Sequence, residues 1–327
     1  MNVVEKIILK KIKHKVSNWF ELERSVEKLD GVFHSVEDSP EKSWPNPDKI
    51  PSGKEVPFSI KNIPIVGPSL SSSIKEGNKA IKSLSNNPAR GKTIIDDLEL
   101  KQFEAMAKEN GIGAIGYTKL PHHLIFKDRA VLYDTAIVLI MEMNKEAVMK
   151  APSLDTFKMV MSTYDTLGKT TNLLTEQLRI MGFQAQASHP LGGLVVYPPL
   201  AVEAGLGWCG RHGLLITPQF GASQRIAAIF VNIENLPLSE KNYHSWIGDF
   251  CENCGKCIRK CPSQAIYEEP IEHQSGRKTH INREKCLPIF VSQQGCTVCV
   301  KECTFTKINY SIVHDRFVNR KGRTQKN

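Results

Sequence analysis

Cysteine is the residue type in this chain whose spacing points most directly to chemistry. Eight of the nine cysteines fall into two groups, the first spaced C-x2-C-x2-C-x3-C-P and the second ending in C-x2-C-x3-C. The groups are Cys251, Cys254, Cys257 and Cys261, and then Cys286, Cys296, Cys299 and Cys303. At the first spacing, three thiolates bind one iron–sulfur cluster and the fourth binds another. The sequence therefore predicts two [4Fe–4S] clusters.

The same motif predicts how the ligands are divided. One cluster takes Cys251, Cys254, Cys257 and Cys303, and the other takes Cys261, Cys286, Cys296 and Cys299. A zinc site would need only four ligands and would leave the C-x3-C-P ending without a reason. Disulfides are typical of short secreted chains with a signal sequence, and this chain has neither property. Thr304 replaces the proline that often follows the last cysteine, which alters the expected turn but not the ligand count.

Length and composition indicate a globular protein of one large or two ordinary domains. The chain has 327 residues, of which 41% are hydrophobic, and a formal net charge of +9. It starts with no signal-peptide core or twin-arginine pair, and no stretch approaches the roughly 20 apolar residues of a membrane span. Together with the oxygen-labile clusters, this predicts a cytoplasmic protein without a transmembrane segment. The basic ends either attract nucleic acid, an acidic electron donor or a membrane surface, or are simply solvated.

Hydrophobic periodicity predicts helices and strands that alternate from residue 96 onward, which indicates an α/β domain. Helices are predicted in residues 3–29, 96–110, 152–182 and 198–204, strands in 112–117, 135–143, 214–217 and 226–233, and an irregular connection in 36–75. The apolar side of the long helix should carry Leu173, Leu174, Leu178 and Ile180. The predicted divisions are N-terminal helices with a wrapping segment (1–95), the α/β domain (96–240), a ferredoxin-like module (241–312) and a basic tail (313–327).

A glycine-rich stretch precedes the cysteine groups. Gly205, Gly207, Gly210 and Gly213 lie within nine residues, so the backbone can turn sharply and approach a flat ligand closely. The stretch contains no G-x-G-x-x-G after a strand and no G-K-[ST] ending, so it supports neither a dinucleotide site nor a P-loop. By itself it indicates either a loop against an unknown cofactor or a structural turn.

Residues 204–221 read Ala-Gly-Leu-Gly-Trp-Cys-Gly-Arg-His-Gly-Leu-Leu-Ile-Thr-Pro-Gln-Phe-Gly. This segment resembles the signature of corrinoid-dependent reductive dehalogenases and, less closely, a segment of epoxyqueuosine reductases. The resemblance extends from about residue 110 to 308 and includes Ser162-Thr-Tyr164, Arg179-Ile-Met-Gly-Phe183 and His280-Ile-Asn-Arg-Glu-Lys-Cys286. It implies a nitroreductase-like α/β domain that binds base-off cobalamin, followed by a two-cluster ferredoxin-like α+β domain.

The resemblance also implies roles for individual residues. The proton-donating tyrosine of the family falls on Tyr164, and the arginine that supports it and holds the leaving group falls on Arg225. A buried tyrosine beside a cation gives up its proton more readily, which suits a general acid. The cobalamin contacts are expected at Gly205, Gly207, Trp208, Gly210 and His212.

Three further features imitate functional sites. His189 lies in Ala187-Ser-His-Pro-Leu-Gly192, which is similar to the D-x-H-x-x-G motif of base-on cobalamin proteins, but alanine replaces the aspartate. We therefore expect a loop histidine. Cys209 is left over from the two groups and is expected to be a buried or loop thiol. His122 and His123 lack metal-site spacing and acidic neighbours, so a loop pair is expected.

The resemblance implies a cobalamin- and [4Fe–4S]-dependent reductase that receives electrons from a ferredoxin or flavodoxin. Removal of halide from a small organic molecule is the first-choice reaction, although the missing twin-arginine signal argues against export and respiration. One alternative is a tRNA-modifying enzyme similar to epoxyqueuosine reductase, which the basic ends fit. Another is a non-catalytic electron-transfer protein, whose α/β domain would serve only for docking.

Overall fold

The computed structural model describes residues 3–42 and 63–324. The helices are α1 (Val3–Arg24), α2 (Ile63–Lys82), α3 (Asp97–Glu109), α4 (Lys145–Met149), α5 (Leu154–Ile180), α6 (Tyr197–Glu203), α7 (Trp246–Cys254), α8 (Lys256–Lys260), α9 (Arg283–Ser292), α10 (Val298–Glu302), α11 (Thr304–Lys307) and α12 (Tyr310–Thr324). The strands are β1 (Phe33–His34), β2 (Ala114–Lys119), β3 (Ala130–Val131), β4 (Thr135–Glu142), β5 (Ala185–Ser188), β6 (Trp208–Cys209), β7 (Leu215–Ile216), β8 (Gln224–Val231), β9 (Ile266–Glu272) and β10 (Lys278–Ile281). None of the described helices has an apolar stretch long enough to cross a membrane.

A four-stranded sheet in the order β2-β4-β8-β5 forms the centre of the larger region. Strand β4 pairs with β8 from Thr135 opposite Val231 to Glu142 opposite Gln224. Its residues from Ala136 to Ile140 are fully buried, which confirms the predicted interior strand. All neighbouring strands in this sheet are antiparallel. The alternating pattern thus predicted β2, β4 and β8 but missed β5, and it did not specify the direction of the strands.

Helix α5 lies against this sheet, and its ends follow ordinary capping chemistry. The Ser153 side chain accepts from the backbone N–H of Thr156 at the start, and Gly182 adopts a positive φ of 95° just after the end. The predicted helix is confirmed, but only part of its apolar side is. Leu174 and Leu178 are buried, whereas Leu173 and Ile180 are exposed.

Two regions differ from the sequence prediction. Residues 36–75 were expected to be irregular, yet helix α2 begins at Ile63; residues 43–62, including Ile60, lie outside the described part of the chain. Pro64 falls in the first turn, where proline is tolerated, and packing against α5 stabilises a helix that still contains Pro68. Residues 313–324 of the predicted basic tail belong to helix α12, which is joined to α7 by a 2.9 Å hydrogen bond from Trp246 Nε1 to the Tyr310 hydroxyl.

Two glycines allow α1, α2 and α5 to pack closely. The Trp19 ring of α1 occupies the space above Gly77 of α2, where an added Cβ would lie 2.2 Å from the ring. The same ring meets His189 edge-on, with 5.4 Å between ring centres. His189 in turn fills the space above Gly168 of α5, where an added Cβ would lie 2.0 Å from Nε2. The tryptophan and the histidine thereby connect three helices.

We expect Gly168→Ala to destabilise the protein by about 1–3 kcal/mol, because the methyl group would overlap a buried imidazole that cannot move away. Replacement of an exposed helical glycine by alanine would instead raise the free energy of unfolding by roughly 1 kcal/mol. Urea unfolding of the variant measures the difference. The His189→Ala background is the control, since removal of the ring should make the same substitution neutral or stabilising. An equal penalty in both backgrounds would contradict this packing.

Candidate functional site

Four of the predicted cluster ligands line one cavity. Cys251 and Cys254 come from α7, Cys257 comes from α8, and Cys303 lies between α10 and α11. Gly255 joins α7 to α8 in the left-handed region, with a φ of 55°, and so allows the chain to turn between the second and third cysteine. The structure thus brings Cys303 to the three cysteines from which it is most distant in sequence.

The other four predicted ligands are also neighbours. Burial, and then the nearby thiols of Cys286 and Cys296, raise the pKa of the Cys299 thiol. Burial, and then the Cys261 thiol, raise the pKa of Cys286. The Cys257 thiol of the first group also raises the pKa of Cys299, so the two groups are adjacent. Within residues 3–42 and 63–324, no three His, Cys, Asp or Glu side chains are placed to hold a single metal ion.

Backbone N–H groups point at several of these sulfur atoms. Burial raises the pKa of Cys303 to about 12, but hydrogen bonds from the backbone of Phe305 and Thr306 oppose this shift. The backbone N–H of Ala265 donates to Cys261 Sγ at 3.3 Å. Thiolates packed together with such donors need positive charge between them, and the iron ions of a cluster would supply it. The donor set therefore fits iron–sulfur clusters.

The glycine-rich stretch forms another wall of the first cavity. Arg211 and His212 line this cavity together with Cys251, Cys254, Cys257 and Cys303. The backbone N–H of Arg211 also donates to the Cys251 thiol, which partly offsets the rise in pKa that burial causes. The stretch is thus in contact with the residues predicted to bind a cluster.

The glycines of the same stretch contact other parts of the chain. An added Cβ at Gly207 would lie 2.1 Å from the Ile216 carbonyl oxygen, and one at Gly205 would lie 2.4 Å from Ser239 Oγ. At Gly210 it would meet the Ile216 and His212 side chains, and at Gly213 the His280 side chain. Trp208 lies against Gly248 of α7. Each residue therefore has a packing role, and their roles as cobalamin contacts remain predictions.

His212 is a buried side chain of this wall. It is 1% exposed, and its Nδ1 accepts from the Leu214 backbone N–H at 3.1 Å. Burial, and then the proximity of His280, lower its pKa to about 4, so the ring is neutral at neutral pH. The other nitrogen, Nε2, is buried and has no hydrogen-bond partner among the described residues. The structure places this ring at the cysteine-lined cavity, and the contact to cobalamin that the resemblance implies remains a prediction.

Tyr164 and Arg225 are in direct contact, although 61 residues separate them. Tyr164 lies on α5, and Arg225 lies near the start of β8, opposite Met141 of β4. Arg225 Nη1 donates to the Tyr164 hydroxyl at 3.1 Å, and the guanidinium carbon lies 4.0 Å from the centre of the ring. Arg225 Nε is buried without a hydrogen-bond partner in the described part of the chain. The pair can therefore stabilise a phenolate while one N–H remains available for another anion.

The features expected to be structural lie elsewhere. His189 directly follows β5 and is only 3% exposed; burial, and then Lys42, lower its pKa to about 3. Cys209 lies in β6, where burial raises its pKa to about 12 and keeps the thiol protonated. His122 and His123 form a short 3-10 helix, and the His122 ring packs on Phe33 at 5.2 Å.

A buried group of charges was not predicted. Glu23 of α1 pairs with Lys42 and, at 3.3 Å, with Arg129 Nε, and all three side chains are buried. Burial lowers the pKa of Lys42 to about 8. The Arg129 guanidinium also stacks 4.1 Å from the centre of the Phe20 ring. No motif or spacing links three residues so far apart in sequence, so only the tertiary structure could show them.

Known proteins share the cysteine module, the fold and part of the sequence. Residues 250–307 match the family model described as 4Fe-4S dicluster domain. The chain is 36% identical over 192 residues to tetrachloroethene reductive dehalogenase from Sulfurospirillum multivorans, covering 56% of this chain and 37% of that protein. It is 31% identical over 117 residues to epoxyqueuosine reductase from Synechocystis sp., covering 33% of this chain and 38% of that protein. The resemblance predicted from the motifs is confirmed, and it is stronger to the dehalogenases.

The fold agrees with this similarity. A catabolic reductive dehalogenase of known structure superimposes with a TM-score of 0.61 at 16% identity, covering 85% of this chain and 43% of that one. The predicted combination of a mixed helix-and-sheet region with a C-terminal ferredoxin-like module is therefore confirmed. The chain spans between 37% and 43% of the length of the first dehalogenases it matches.

Proposed function

We propose that this protein is an iron–sulfur reductase of the reductive dehalogenase type, with its reaction centre beside Tyr164 and Arg225. The observation that carries the proposal is the 3.1 Å hydrogen bond from Arg225 Nη1 to the Tyr164 hydroxyl. The family resemblance assigned a proton donor and its supporting cation to these two positions, and an unrelated electron carrier would have no need to join them. The similar reductive dehalogenases and epoxyqueuosine reductases both carry out reductions. We therefore propose that this protein is an oxidoreductase.

The eight cysteines of the two groups would hold two [4Fe–4S] clusters, divided as the motif predicts. Bound clusters would supply electrons one at a time at low potential. The protein holds the thiols around a cavity, directs the backbone N–H groups of Arg211 and Ala265 at two of them, and keeps the two groups adjacent. A ferredoxin or flavodoxin is the proposed electron donor.

The further cofactor we propose is a corrinoid, because one dehalogenase structure with the same fold (TM-score 0.59, 19% identity) is described as performing B12-dependent dehalogenation. When bound, it would supply the strongly reducing metal that a carbon–halogen bond requires. The glycines predicted as its contacts also pack against the protein itself, and their roles toward the corrinoid remain predictions. We derive no step through this group.

Tyr164 and Arg225 would supply the proton and stabilise the charges that form in the reaction. A carbon–halogen bond breaks, two electrons and one proton are consumed, a carbon–hydrogen bond forms and halide leaves. The Tyr164 hydroxyl would supply the proton, and the hydrogen bond from Arg225 would stabilise the phenolate that remains. The unpartnered Arg225 Nε would donate to the departing anion. The proposed substrate is a small organic halide.

Reconstitution tests the proposal. The protein is reconstituted anaerobically with iron, sulfide and cobalamin, and its optical and EPR spectra are recorded. Halide release is then measured with reduced ferredoxin as the electron donor. We expect Arg225→Gln to lower halide release about 10- to 100-fold, because a hydrogen bond to a charged group is worth roughly 1.5–3 kcal/mol. Arg277→Gln, which changes a cation that hydrogen-bonds Asp38 and Thr279 instead, is the control.

Two other outcomes of this experiment would indicate a different function. A chain that binds about eight irons but neither cobalamin nor any substrate would be an electron carrier. Salt-sensitive binding of tRNA, with reduction of a modified base and no release of halide, would indicate the function of epoxyqueuosine reductases instead.

A further inference from the structure

The imidazole of His212 leaves one buried polar atom unexplained. Its Nδ1 is occupied as an acceptor, because the Leu214 backbone N–H donates to it at 3.1 Å. A neutral imidazole that accepts at Nδ1 carries its proton on Nε2. This Nε2–H is buried and has no acceptor among the described residues. Leaving such a donor unsatisfied costs about 1–3 kcal/mol, so an acceptor outside the polypeptide is expected.

The surroundings of His212 indicate the chemistry of that acceptor. The ring lines the cavity that Cys251, Cys254, Cys257 and Cys303 surround. The ring packs close to Gly210, where an added Cβ would lie 2.9 Å from Cε1. A sulfur atom of an iron–sulfur cluster carries partial negative charge and accepts hydrogen bonds.

We propose that His212 Nε2–H donates a hydrogen bond to a sulfur of the cluster bound by Cys251, Cys254, Cys257 and Cys303, and thereby raises the reduction potential of that cluster. The inference rests on the proposed binding of clusters but not on the identity of the substrate. An added electron makes the sulfur more negative, so the hydrogen bond is stronger in the reduced state. The histidine consequently stabilises the reduced cluster. It thereby sets the difference in reduction potential between this cluster and the neighbouring cluster.

The test is a redox titration followed by EPR of the reduced clusters. Replacement of His212 by leucine removes the donor, and we expect the ratio of reduced to oxidised cluster to fall about tenfold at a fixed potential. For a one-electron couple this equals a shift of about 59 mV to more negative values. One of the two titration waves should move while the other stays in place. His212→Gln, whose amide can still donate, should retain part of the wild-type potential.

His189 offers a matched control. It is 3% exposed, its Nδ1 accepts from the Leu191 backbone N–H at 3.0 Å, and its Nε2 is buried without a partner in the described residues. However, it faces Gly168 and Trp19 rather than the cysteines. His189→Leu should therefore disturb packing without moving either titration wave.

A second measurement needs no variant. In wild-type protein labelled with nitrogen-15 histidine, pulsed EPR should detect one histidine nitrogen coupled to a reduced cluster. Bound clusters without this coupling, or an unchanged titration in His212→Leu, would overturn the inference while leaving the proposed function standing. If the wild-type chain binds no iron, the inference and the proposed function both fail.

Discussion

The double variant Cys251→Ser with Cys303→Ser is expected to keep one cluster, with about four irons per chain instead of about eight. Cys251 and Cys303 line the same cavity, so their combined loss should affect only the cluster bound there. The double variant Cys251→Ser with Cys261→Ser should lose both clusters, because the motif assigns these neighbours in sequence to different clusters. Iron and sulfide analysis with EPR measures both outcomes.

The opposite result would indicate a different division of the ligands between the clusters. If each cysteine group held its own cluster, the variant lacking Cys251 and Cys261 would keep one cluster and the variant lacking Cys251 and Cys303 would lose both. Cys209→Ser is the control, since this cysteine belongs to neither group and the raised pKa of its thiol keeps it protonated. It should keep the full complement of iron.

The variant Tyr164→Phe is expected to lower halide release by about 10²- to 10⁴-fold, the usual contribution of a positioned general acid. The substitution removes only the hydroxyl that accepts a hydrogen bond from Arg225 Nη1, and the ring can remain against the guanidinium. Both clusters should keep their EPR signals. The measurement is substrate reduction under single turnover with pre-reduced protein, which separates proton supply from electron delivery.

Tyr117→Phe is the matched control for this experiment. Tyr117 is a buried tyrosine, and its hydroxyl donates to Glu104 Oε1 at 2.7 Å. It lies on β2 and packs in a different hydrophobic cluster from Tyr164, so its loss should change stability without changing turnover. Equal activity of Tyr164→Phe and wild type would remove the tyrosine from the proposed mechanism.

The glycine-rich stretch has a wider structural role than its composition indicates. From Trp208 to Gly221 it contacts the cysteine module through Gly248, Cys251, His280 and Phe305. An added Cβ at Gly221 would lie 2.1 Å from the Phe305 carbonyl oxygen. The segment that carries the strongest family resemblance therefore joins the sheet-containing region to the predicted clusters.

The sequence by itself determined the features that depend on neighbours along the chain. The cysteine spacing and Gly255 specify a local turn around a cluster, and capping by Asp96 and Ser153 together with apolar periodicity specifies α3 and α5. The resemblance added Tyr164 and Arg225 as a pair, but it could not provide their geometry.

Only the tertiary structure decided the features that depend on residues distant in sequence. The antiparallel direction of the sheet, the helix that contains Pro68, and the position of Trp19 between Gly77 and His189 all arise from packing between separate elements. The same is true of His212. Its sequence context is a glycine-rich loop, and only the folding of residues 208–221 against α7 places its ring at the cavity lined by four cysteines that lie 39 or more residues later in the chain.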